Sequence, residues 1–550
     1  MSKNDHAMCI ASEVVSAAAS TEKARPLILP LLETGALEIL MENSDKEVRS
    51  GAASAIAKLG LADKALSNNE GEIIGLLQVA VELLEDSADS GGADTKALME
   101  KASKAPKESA SSSSSATTAA ERGIEVLSYL LTKTQIKEEI AFGFKASANS
   151  KHTALERLVE LASASKSGES VISYGLATIF ALMAVSTETL RKEAFIGKEI
   201  TADQYEELQA LGKTEEEKEN AKQNQDIDPP EAVHERIRKM ANCNVPRAMV
   251  KLMTNASEHT LEQVVTGMNR MAVEETARGV MVQQGCLSAC LKVEQGESPS
   301  ETGKKILNLA RHSVAKMLVS MNPSLLTVSQ RMGCVRPLIQ LIRDNESSDL
   351  AQFEALLAIT NLGSMDEETK NRIVAERGIS VLGYGMFSDH ELVRRAATEA
   401  MSNLVPNVEM MKYLADPEHL KLWVAFATEF DTNYECARAA AGCLAMATQA
   451  PAVATALVQQ DHFEEMGRSV LECGKLELMH RIMVILLNLL DQGGDCKDGV
   501  IACGFVAFCE AYVISYHDGT KAGELELSES DQGLMSVTVN LAKEIVSLSR

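Results

Sequence analysis

Aromatic residues make up only 4% of this 550-residue chain, and Trp423 is its single tryptophan. A core built on large rings is thereby excluded, and Ala, Leu and Met must fill the seams, as in closely stacked helices. Positive charge is also scarce. Lys and Arg number 54 against 78 Asp and Glu, giving a net charge of -24. A surface of that sign repels phosphate, so nucleic acid is not an expected partner. Long hydrophobic runs are missing: the best, Ile482 to Leu490, is far too short to span a bilayer. The opening MSKNDHAMCIASEVV lacks the basic start and apolar run of a secretory signal. The expectation is a soluble, cytoplasmic chain with no membrane partner. The 11 cysteines run from Cys9 to Cys509 without a CxxC pair. They read as small buried apolar residues in a reducing compartment.

Motifs that carry chemistry are absent as well. The nearest text to a phosphate-binding loop, ESPSETGKK at Glu297 to Lys305, lacks the first glycine and the hydroxyl after lysine. There is no HExxH, no GxSxG, and no Cys or His cluster at metal spacing. Carboxylates are plentiful, but an acidic chain brings many together by chance, so none identifies an acid and base couple. No catalytic residue, cofactor or metal is assigned, and the chain is not read as an enzyme.

What is present is a repeat. Phe353 to Leu362 (FEALLAITNL), Arg395 to Leu404 (RAATEAMSNL), Arg438 to Ala447 (RAAAGCLAMA) and His480 to Leu489 (HRIMVILLNL) share one helical pattern. Their ninth positions are Asn361, Asn403, Met446 and Asn488, at steps of 42, 43 and 42 residues, the interval of armadillo and HEAT units. Glycines before apolar helices recur at Gly285, Gly333 and Gly378, where sharp turns between helices with φ > 0 are expected. Looser copies lie at Ser50 to Leu59 and Ser173 to Leu182. The fold expected is all-α, an armadillo/HEAT-type helical-repeat superhelical solenoid, in which each unit packs on its neighbours and no central core is needed.

Composition divides the chain. Residues 1–84 read as helical repeats, including a hairpin that turns through Gly35. A Ser/Ala-rich stretch at 85–119 reads as a linker or loop, because it cannot bury enough apolar area to offset its ordering entropy. Repeats resume at 120–198. A charged segment at 199–230 reads as a solvated connection or as a mobile cover over a binding face. Residues 231–550 form the regular array, ending in a helix from about Asp531 that caps the last unit.

In stacked repeats the last helix of each unit lines a concave surface, so equivalent side chains form a ladder. An Asn amide both donates and accepts, and a ladder of them can grip an extended peptide backbone; it can equally hold neighbouring helix ends in register. Both readings stand at this point. Armadillo nuclear-import adaptors place tryptophan four residues before each asparagine, whereas Leu357, Glu399 and Val484 occupy those positions, which removes most of the support for nuclear import and leaves a scaffold or transport adaptor for an extended peptide of another protein as one reading.

The stretch QFEALLAITNLGS at Gln352 to Ser364 resembles a motif of the UCS (Unc/Cro/She) family of myosin chaperones. The segments IASEVVSAAASTEKARPLILPLLETGALEIL, EVRSGAASAIAKLGLADKA, GLATIFALMAVS, VRRAATEAMSNLV and AAAGCLAMAT resemble family text in family order. The resemblance implies a chaperone that binds the motor domain of the myosin heavy chain in a canyon of its carboxy-terminal domain, here 231–550, with 1–84 and 120–198 as central and neck repeats. The family's motif tyrosine and asparagine fall on Phe353 and Asn361, the former losing a hydroxyl. A family arginine falls on Arg394, with a client contact and a helix-end carbonyl contact both open. With Asn403, Met446 and Asn488 these are the candidate client-binding residues. Animal members recruit the ninety-kilodalton heat-shock chaperone through an amino-terminal tetratricopeptide domain. No such text precedes the repeats here, so that partner has no recognised docking domain.

Overall fold

The computed structural model describes residues 3–21, 23–60, 70–89, 119–165, 167–195, 228–294, 300–522 and 529–550. These are helical throughout, with no strand among them. They fall into two compact units, Met1–Ser313 and Val314–Arg550. The serine run and most of the charged segment, at 90–118 and 196–227, lie outside the described residues.

In the first unit one long helix of each repeat packs on the next: α1 (Lys3–Ala19), α2 (Lys46–Gly60), α3 (Ala119–Leu130), α4 (Val171–Met183) and α5 (Glu258–Met271). The second unit continues in the same way with α6 (Asp349–Gly363), α7 (Glu391–Asn403), α8 (Tyr434–Ala447), α9 (Leu476–Gln492) and α10 (Glu529–Ser549). Short helices join them, such as Glu367–Ala375 and Gly378–Gly385 ahead of α7. Small side chains permit the stacking. Ala396, Ala397 and Ala400 of α7 and Ala437, Ala440 and Ala441 of α8 are buried, and the two helices pack on each other. Spacings of three and four residues put them on one face. The tryptophan, Trp423, is buried in the helix Pro417–Thr428. The helix α10 packs on α9.

Side-chain caps set several of the helix starts. Ser348 accepts from the Ala351 N–H at the start of α6, and Thr327 forms a capping box with Gln330. That box corrects one expectation. It starts the helix Val328–Arg343 upstream of Gly333, which therefore lies inside a continuous helix rather than at a turn. Gly285 does turn, at φ +96°, as does Gly35 at φ +69°. At the third site the left-handed residue is Arg377, at φ +65°, one position before the glycine. Gly378 is needed there for space: a Cβ on it would lie 2.6 Å from the Ile373 carbonyl oxygen. The helix Glu70–Asp89 also runs into the stretch read as linker, since Leu83 and Leu84 bury its inner face.

Asp228, near the end of the charged segment, is anchored in the first unit. Its carboxylate, fully buried, pairs with Arg236 at 2.7 Å and accepts from the hydroxyls of Thr187 at 2.9 Å and Thr134. Lys137 lies 3.9 Å away and donates to the Val185 carbonyl. Burial alone would raise the Asp228 pKa, but these donors outweigh it and hold the carboxyl below its ordinary range. All 11 cysteines are free thiols, and burial pushes Cys290 up to about 12.

Candidate functional site

The repeat interval has a physical counterpart on the inner helices. Asn361 of α6 donates through Nδ2 to the carbonyls of Leu318 (3.2 Å) and Val319 (2.8 Å), at the end of the helix Glu301–Val319. Asn403 donates to Thr360 O at 2.9 Å, and Asn488 to Ala445 O at 2.8 Å and Thr448 Oγ1 at 3.0 Å. In the first unit Lys58, at the ninth position of the early copy, reaches Ser16 O at 3.2 Å. In each case the carbonyl belongs to the preceding inner helix, 42 or 43 residues back. Those of Leu318 and Val319 lie at a helix end, where intrahelical donors run out, whereas Thr360 O also accepts from the Ser364 N–H at 3.1 Å. The amide N–H groups thus hold the units in register, while the Oδ1 atoms of the three asparagines accept no hydrogen bond among the described residues.

Met446 breaks this ladder, because a thioether has no hydrogen to donate. Ser402 Oγ bonds Ala439 O at 3.2 Å and ties α7 to α8 instead. A groove of about 620 Å³ opens at this point across α7, α8 and α9. Met446 is 43% exposed on its floor, with Ala439, Gly442, Ala445 and Val484 around it. Thr360, Asn403 and Gln449 line one part, and Glu399, Arg438, His480 and Arg481 another.

The charged lining is cross-linked. Arg395 pairs with Glu399 at 3.1 Å and Glu435 at 3.6 Å; Arg438 pairs with Glu435 at 2.8 Å and Glu477 at 3.6 Å. Arg481 donates to the Arg438 carbonyl. Burial and the Arg481 charge both lower the His480 pKa, which favours a neutral ring. Burial, partly offset by Glu477, also lowers that of Arg481. The groove therefore offers an apolar floor between fixed and internally balanced charges.

Of the six residues singled out from the sequence, the groove gathers two, Asn403 and Met446. Phe353 and Asn361 lie on α6, and Asn488 on α9, outside its lining. Arg394 donates to Ser388 O at 2.9 Å and Asp389 O at 3.4 Å, in the loop before its own helix. The repeat register held a signal for the residues missed. Arg438 and His480 occupy the first position of their copies, aligned with Phe353 and Arg395, and Glu399 and Val484 occupy the fifth. Among the described residues no cluster could hold a metal ion.

No family model matches the chain. It is 32% identical to the protein unc-45 homolog B of Xenopus laevis over 273 residues, 48% of this chain and 29% of the frog protein. The chain is homologous to the UNC-45 proteins. The structure of UNC-45 from Drosophila melanogaster superposes with a TM-score of 0.66 at 21% identity, covering 98% of this chain and 60% of the fly chain. That of the myosin chaperone UNC-45 from C. elegans, solved with an Hsp90 peptide, gives 0.58 at 19% identity, covering 94% and 52%. At these identities the structural likeness establishes the shared helical-repeat fold. The chain spans less than two thirds of each of these UNC-45 proteins.

Proposed function

We propose that this protein is a myosin-directed chaperone that acts without catalysis, in the cytoplasm, by holding a segment of the myosin motor domain along the inner helices of its second unit. The observation that carries the reading is the groove at Met446, where the ladder is interrupted and an apolar floor is exposed among fixed polar groups. Such a surface suits an extended segment: an apolar side chain fills the floor while the Asn403 Oδ1 accepts from its backbone. Phe353 and Asn361 extend the same surface toward the preceding repeat, and Asn488 toward the following one. Arg394 acts indirectly by fixing the loop at Ser388 and Asp389.

The homology to UNC-45 proteins supplies the client class, since the C. elegans relative is a myosin chaperone. Its Hsp90 peptide extends to this chain only as a candidate partner. No single helix here is long and apolar enough to cross a membrane among the described residues, in keeping with a soluble helper.

The test is suppression of heat-induced aggregation of a purified myosin motor domain, set against an unrelated aggregating protein. The chain protects the motor domain preferentially, and Met446→Asp, which puts an unpaired charge on the apolar floor, abolishes protection without changing helix content. Equal protection of both proteins would point to an unspecialised peptide scaffold. Full protection by Met446→Asp would remove the groove from the reading.

A further inference from the structure

We infer that the first unit carries a second groove, between α3 and α4, that takes a lysine or arginine side chain from an extended basic segment of a protein partner. The groove has a volume of about 450 Å³. Along α4 its wall is Val171, Tyr174 and Thr178, at helical spacing, with Val171 70% and Tyr174 43% exposed. Gly175 keeps the floor low, since a Cβ there would sit 2.2 Å from the Ile124 Cγ2 of α3. Along α3 the opposite wall is Glu121, Glu125 and Ser128.

The charges are arranged by sign. Glu125 is partly exposed, and its carboxylate is fixed by the Ser54 hydroxyl at 2.8 Å, Lys58 at 2.8 Å and Arg122 at 2.9 Å. Those two cations are buried behind it, with side chains only 2% and 7% exposed. Both terminal nitrogens of Arg122 are committed, Nη1 to Ser16 and Glu125 and Nη2 to Glu13. Arg122 also lines the groove and its Nε has no partner, but that nitrogen is shielded from solvent, so an anion entering the groove meets carboxylates before any exposed cation. A lysine or arginine meets the reverse: apolar side chains along its aliphatic stem, the Tyr174 ring, and a carboxylate already held in place. Holding that carboxylate beforehand lowers the ordering cost of binding. The inference is independent of the client groove in the second unit, with which this one shares no residue.

The experiment uses the full chain and a short fluorescein-labelled peptide of alternating lysine and serine, followed by anisotropy. The double variant Val171→Ser, Tyr174→Ser leaves the net charge unchanged and alters two exposed positions, so its unfolding midpoint is expected to match that of the native chain. Its affinity for the peptide falls about tenfold. The acetyl-lysine peptide binds the native chain no better than a glutamate and serine peptide does. Should the double variant lose stability, Ser128→Phe, which fills the groove from α3, must produce the same loss. Unchanged affinity in these variants would mean that the peptide is drawn only by the chain's general negative charge, and would overturn the proposal.

Discussion

At the scale of the residue, the asparagine ladder shows how one side chain serves two ends. The Asn361 amide nitrogen is committed to two carbonyls of the preceding helix, so replacing it by the nearly isosteric Asn361→Leu leaves both acceptors without their donor. A loss of about 1–2 kcal/mol is expected in urea unfolding, whereas a purely client-gripping residue would leave the midpoint in place. Asp228 gives a second test, with a sign. Because its folded pKa is depressed, its contribution is fully present above the ordinary aspartate value of about 3.9 and is lost as pH falls through the folded value. Asp228→Asn should cost about 1–3 kcal/mol near neutrality, because Arg236 loses its fully buried counter-ion and keeps only the partly exposed Glu138. The gap between variant and native chain then narrows below about pH 4. A gap that widens on acidification would contradict the depressed pKa.

At the scale of the element, the turn before Gly378–Gly385 separates two uses of glycine. Arg377 carries the positive φ, and Gly378 supplies the room beside Ile373. Arg377→Gly should therefore stabilise the second unit by about 0.5–1 kcal/mol, since a left-handed conformation is costly for any residue with a Cβ. Gly378→Ala should destabilise it, because the displaced atoms include a backbone carbonyl. Thermal midpoints moving in opposite directions at adjacent positions would verify both. Glycines at the same place in the sequence pattern thus do different things. Gly285 is a turn residue and Gly333 a helix residue, and the capping box at Thr327 decides the difference.

At the scale of the whole molecule, a repeat array is stabilised mainly by neighbouring interfaces, so distant parts need not unfold together. The single tryptophan lies in the second unit, and its fluorescence reports that unit while far-ultraviolet circular dichroism reports every helix. Phe180→Ala empties a fully buried site in α4 and should cost about 3–5 kcal/mol locally. The dichroism transition is expected to shift to lower denaturant while the Trp423 fluorescence midpoint stays in place. Coincident shifts in both signals would show the chain to be one cooperative block.

The repeat interval, the Ala-rich helix faces and the poverty in aromatics determined the fold class by themselves, because side-chain spacing along a helix is a local property that survives without coordinates. They also located the ladder, since Asn361, Asn403, Met446 and Asn488 stand out by period alone. Tertiary structure decided what the ladder does. Whether an amide points at a peptide or at the carbonyl 42 or 43 residues back depends on how closely consecutive inner helices approach. It likewise decided that Met446 and Asn403 line the open groove while Asn361 and Asn488 lie outside it. A cavity arises from contacts left unmade between elements, and linear spacing does not record those.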